Sequence, residues 1–136
     1  MRTYVTRIMS ERGVAAVEFA LVSPLLVLLL FTIIEFSLVL FDKAVITNAS
    51  REGARFGSVH DENGPVDNAE ITDVMDVYLN NHLISLGGTN TPEYDPPPTV
   101  DGNGFLTVTV NYTYDFLVLP DIASINMSAV TVMKME

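Results

Sequence analysis

The chain has 136 residues, 49% of them hydrophobic, with no cysteine and a formal net charge of −10. That length leaves room for one small domain beyond a membrane segment, and the missing cysteines exclude disulfides and thiolate metal sites. The charge is uneven: residues 1–13 hold Arg2, Arg7 and Arg12 against Glu11, whereas the remainder holds four basic side chains against sixteen acidic ones, a charge of −12. With no basic patch to neutralise phosphates, neither nucleic acid nor an anionic membrane surface suits it as a partner.

Residues 1–12, MRTYVTRIMSER, form a short polar tail with three arginines. The stretch from Arg12 to Phe41, RGVAAVEFALVSPLLVLLLFTIIEFSLVLF, is apolar enough to enter a bilayer. As a helix, Val14 to Ile34 would span roughly 30 Å, about the thickness of a hydrocarbon core. A secretory signal has an apolar core of only about 7–15 residues closed by a small-residue cleavage site. Here the run is longer and no such site closes it, so the stretch reads as a single-pass anchor. Counting flanking cations does not orient it, because Arg2, Arg7 and Arg12 before the span balance Lys43, Arg51 and Arg55 after it. A tail too short to fold favours a cytoplasmic N-terminus.

Two carboxylates stand in this stretch. Glu18 lies inside the span, where an ionisable group costs on the order of 2.5–3.5 kcal/mol and by default marks function. Glu35 follows seventeen residues later, about 25 Å along the axis and roughly 100° around it, so it need not share the partner of Glu18. Near the outer interface it is expected to be solvated rather than held by a specific contact. Pro24 removes the hydrogen bond to the Ala20 carbonyl, which favours a kink, although membrane helices also tolerate proline and Ser23 can serve the freed group.

The helix is expected to continue past the span to about residue 57. Ala49, Gly53 and Gly57 recur at four-residue spacing, a stripe of small residues that lets another helix approach closely. Close packing is the preferred reading for Gly53, and fraying of the helix end for Gly57. Arg51 and Arg55 share a face with Glu52 offsetting them, which reads as a solvated surface.

HDENGP at 60–65 is a turn by composition. Asp67 with Glu70 then reads as a capping box opening an amphipathic helix, with Ile71, Val74, Met75, Tyr78, Leu79, Leu83 and Leu86 on its apolar face and Gly87-Gly88 ending it. His82, alone at the edge of that face, is packing or surface rather than a ligand. Residues 89–98 are loop. A strand from about Thr99 turns at DGNG (101–104) and returns through FLTVTVNYTYDF, where Leu106, Val108, Val110, Tyr112 and Tyr114 alternate with polar positions. Asp101 and Asn103 lack the remaining ligands of a calcium loop, so a hairpin turn is preferred. After Leu119-Pro120 a last strand runs from about Ile125 to Met135. The fold class is therefore α+β: a long N-terminal transmembrane helix extending into a small domain of one amphipathic helix and about three antiparallel strands.

The chain offers no nucleophilic triad, phosphate loop or histidine cluster. No enzyme activity, cofactor, metal or small-molecule substrate is expected. What remains is the start of the anchor, Arg12-Gly13-Val14-Ala15-Ala16-Val17-Glu18-Phe19: a basic tail, a glycine, then an apolar helix with glutamate at its fifth residue. RGVAAVEFALVSPLLVLLLFTIIEF together with NASREGARFG resembles the TadE-like proteins of tight-adherence (Tad/Flp) type IVb pilus systems, over roughly residues 12–57. The resemblance implies a basic leader at 1–13, a transmembrane helix at 14–41, its extension at 42–57 and a periplasmic head at 58–136. It also implies a processing site at Gly13 and Val14 for a prepilin peptidase acting on the cytoplasmic side, with assembly through Glu18 and Phe19. The implied partners are the peptidase, other pilins and pseudopilins, and Tad inner-membrane assembly proteins, at the bacterial inner membrane or within an extracellular pilus. Pilins usually begin the mature helix with Phe or Met, and Val14 departs from that. Three functions stay open: a minor pseudopilin, an uncleaved single-span protein whose outer domain binds a partner in the envelope, and, as the weakest of the three given the size of the head, a major pilin subunit.

Overall fold

The computed structural model describes residues 4–59, 66–86, 88, 91–117 and 124–135. The expected turn at 60–65, Gly87 and Leu119-Pro120 lie outside the described residues. The first element, α1 (Tyr4–Gly57), is a 54-residue helix that runs through Pro24 without a break. Its length follows from composition: between Val14 and Gly53 the only residue of very low helix propensity is that one proline. The chain divides into two compact units, Met1–Ile34 and Glu35–Glu136.

Among its described residues the first unit is helix alone. From Gly13 to Ile34 every side chain is exposed except the half-buried Ser23. A helix that is apolar all round must bury its surface in lipid or against other helices, and this one is long and apolar enough to cross a membrane.

The second unit contains the rest of α1, then α2 (Asn68–His82), β1 (Thr99–Val100), β2 (Phe105–Asp115) and β3 (Ser124–Lys134). The sheet is antiparallel in the order β1-β2-β3, with β2 and β3 paired along their whole length from Phe105↔Lys134 to Asp115↔Ser124. The turn into β2 uses the chemistry that DGNG promises. Asp101 accepts the N–H groups of Asn103 and Phe105 at 2.9 and 2.8 Å, and Gly104 takes φ +78°, which a side chain would strain. With that carboxylate engaged in the turn, the hairpin reading stands over the calcium one.

Alternation along β2 sends Leu106, Val108, Val110, Tyr112 and Tyr114 to one buried face. Two helices cover it: α2 through Ile71, Met75 and Leu79, and α1 through Val39, Val45, Ile46, Ala49 and Ala54. They run antiparallel, because Gly57 stands against Ile71 while Gly53 stands against Met75. The α+β architecture is as expected, with one addition: the extension of α1 is half of the helical layer. Leu79 is fully buried, so Leu79→Ala should cost about 2–5 kcal/mol of stability. The exposed neighbour change Val77→Ala should stay within about 0.5 kcal/mol; thermal unfolding of the full chain in detergent measures both.

Two expectations for α2 are corrected. Asp67 is the N-cap, but its side chain makes no capping hydrogen bond, so there is no capping box. The helix also stops at His82, short of the glycine pair, because Leu83 is already extended at ψ 135°. The next N–H, that of Ile84, is taken by the Asp42 carboxylate of α1 at 3.1 Å. A tertiary bond thus replaces the continuing helical one, and Leu86 is left exposed. His82 stacks on the Tyr78 ring with centroids 4.5 Å apart, as a packing or surface residue would.

Candidate functional site

The residues singled out at the start of the anchor lie on the first unit. Gly13 is exposed and has open space where a Cβ would stand. Val14, Glu18 and Phe19 are exposed on the same continuous helix, Phe19 at 72%. Glu18 is one helical turn beyond Val14, and Leu21, Val22, Leu25 and Leu26 are exposed beyond it. A carboxylate on so apolar a surface needs an opposite charge or a proton before that surface can be buried. The site is therefore an exposed apolar helix surface interrupted by one carboxylate.

The small residues lie on the second unit. Ala49, Gly53 and Gly57 are all buried, and the helix that comes close is α2 of the same chain. A Cβ at Gly53 would meet the Met75 side chain at 2.7 Å, and one at Gly57 would meet Ile71 at 2.5 Å and Leu106 at 2.7 Å. Gly57 does end α1, but it ends it inside the core rather than frayed in solvent.

Sequence reasoning missed a polar junction at the base of this unit. Glu35 was expected to be solvated; it is only 3% exposed, and its carboxylate accepts the backbone N–H of Leu117 just past β2. Asp42, two helical turns later and fully buried, holds the Ile84 N–H after α2. Tyr114 lies in the field of both acids, and its phenol is pushed up, first by burial and then by those charges. Burial likewise pushes the Tyr112 phenol up to about 12, with Asp42 adding to the rise. Burial raises the Asp42 carboxyl, and the Ile84 hydrogen bond only partly opposes it. Asp42 Oδ2 and Tyr114 Oη are buried with no hydrogen-bond partner among the described residues. Higher up, the Lys43 ammonium donates to the Ser128 carbonyl, and the hydroxyls of Ser50 and Thr131 meet at 2.8 Å. These bonds fasten α1 to both ends of the head. A signal was available: counting back in sevens from Ala49 on the small-residue stripe lands on Asp42 and Glu35, so both had to face the same cover.

A single long apolar helix joined to a small α+β unit is the pattern compatible with a single-pass membrane protein. Within that class, residues 13–55 match the model of the TadE-like protein family, the family that the sequence resembles. This is a family of Tad pilus-associated structural components and is not known for enzymes. Comparison with curated proteins and with solved structures found no match.

Proposed function

We propose that this chain is a minor pseudopilin of a Tad (Flp) pilus system. In this reading it is processed between Gly13 and Val14 and assembles through its N-terminal helix, with an acidic head in the periplasm. The observation that carries the reading is the exposed, wholly apolar helix surface bearing Glu18 five residues after Gly13, inside the TadE-like match. Cleavage would free an ammonium at Val14. On a neighbouring subunit, that ammonium is the opposite charge that Glu18 requires, and their pairing would set the axial register of one helix against the next. Phe19 and the leucines after it then bury against the neighbour, and the peptidase and inner-membrane pilus components are the partners that deliver the helix. A head of this size, larger than the very short major pilins of such systems, favours a minor or priming role.

The N-terminal mass of the membrane-extracted protein tests it. The expected result is a chain beginning at Val14 in cells with an active prepilin peptidase. An intact leader there would overturn the processing step and leave the uncleaved binding-module reading in its place.

A further inference from the structure

The surface of the second unit carries an uneven charge that the processed helix does not use. Beyond residue 13 only Lys43, Arg51, Arg55 and Lys134 are basic. Lys43 is engaged by the Ser128 carbonyl. Arg55 has only an exposed pair with Glu52 at 3.1 Å, of a kind that contributes little. At 100° per residue, Leu40, Ala44, Asn48, Arg51 and Arg55 fall within an arc of about 80° on α1, and all five are exposed. The solvent face of α2 is its complement, with Glu70, Asp73 and Val77 exposed on one stripe, Val77 at 66%.

We propose that in the assembled state the basic stripe of α1 docks the acidic face of α2 from a second copy of this chain. The proposal rests on the pseudopilin reading and names a contact within it. Levels along the helices support the match. Because α2 runs down against α1 with Ile71 at Gly57 and Met75 at Gly53, Asp73 stands level with Arg55 and Val77 level with Arg51. Two copies standing side by side in one membrane would therefore bring the neighbour's acids to the height of the arginines without shifting either chain. The two faces differ, so the contact is heterologous and can propagate through a short run of copies rather than closing as a dimer. Elsewhere two chains of −12 repel each other, which makes this stripe the place where copies attract. Anionic lipid is the poorer occupant. Arg51 and Arg55 lie roughly 15 and 20 Å past Phe41 along the axis, beyond a Debye length of about 10 Å.

The chain has no cysteine, so the full-length protein in its native membrane can be cross-linked at chosen sites. Co-expressed Asn48→Cys and Val77→Cys chains should give a linked dimer with a short bis-maleimide, and neither should link to itself. The double variant should give a ladder. Changing Arg51 and Arg55 both to Glu should cut the yield about tenfold, as should changing Glu70 and Asp73 both to Lys, and pairing the two reversed chains should restore it. Linking that ignores charge reversal, self-linking of one single-cysteine chain, or a product with the mass of a different protein would each overturn the contact. So would absence of a ladder from chains that begin at Val14, which leaves the pseudopilin reading intact. A ladder from chains with an intact leader would overturn that reading and not the contact.

Discussion

Gly57→Leu should unfold the head at temperatures where the unaltered protein is stable. The position is buried where α1, α2 and β2 converge, and even a Cβ would stand 2.5 Å from Ile71 and 2.7 Å from Leu106, both fully buried. Both neighbours are core side chains, so the extra atoms force them into other rotamers or separate the helices. Overpacking of this kind costs about 1–3 kcal/mol for modest additions, and a whole isobutyl group belongs at the top of that range. For a domain of this size the melting temperature should fall by on the order of 10–20 °C, read by circular dichroism of the full chain in detergent. Gly102→Ala, where a Cβ meets open space, is the matched control and should change little. Equal melting of the Gly57→Leu and Gly102→Ala proteins would mean that α2 does not sit against α1 as described.

Asp42→Asn should stabilise the protein at neutral pH and flatten its dependence on pH. Burial raises the Asp42 carboxyl above its ordinary 3.8, so in the folded chain it binds a proton over a range where the unfolded chain has released it. The sign follows. The contribution is fully present below about 3.8, and it is lost as pH rises through the raised folded value. Asparagine keeps an oxygen for the Ile84 N–H and never has to hide a charge. The variant should therefore melt higher than the original at pH 7–8, and the two should converge near pH 4. Asp42→Leu separates charge from hydrogen bonding: it removes the acceptor of the part-buried Ile84 N–H and should cost about 0.5–1.5 kcal/mol for that bond. A lower melting temperature for Asp42→Asn at pH 7–8 would show that the carboxylate, charged, is the stabilising form.

The acidic junction changes how the two glutamates of the apolar stretch compare. Both are expensive in a helix of this kind. Glu18 remains exposed on the first unit, whereas Glu35 is satisfied within its own chain by a backbone N–H. One carboxylate is thus left on an exposed apolar surface, and the other, with Asp42, bonds the backbone of the second unit to α1.

What the sequence by itself determined is whatever depends on near neighbours. The length of α1 follows from composition, its capacity to span a bilayer from an uninterrupted apolar run, and the β1–β2 turn from an aspartate and a glycine three residues apart. The buried face of β2 follows from alternation, and the resemblance to TadE-like proteins from residues 12–57, close to the 13–55 that the family model matches. Tertiary structure alone decided what covers the small-residue face of the α1 extension, which backbone N–H groups Glu35 and Asp42 hold there, and the early end of α2. The physical reason is distance along the chain. The N–H groups that claim Asp42 and Glu35 lie 42 and 82 residues away, and no local periodicity records where a partner that remote will arrive.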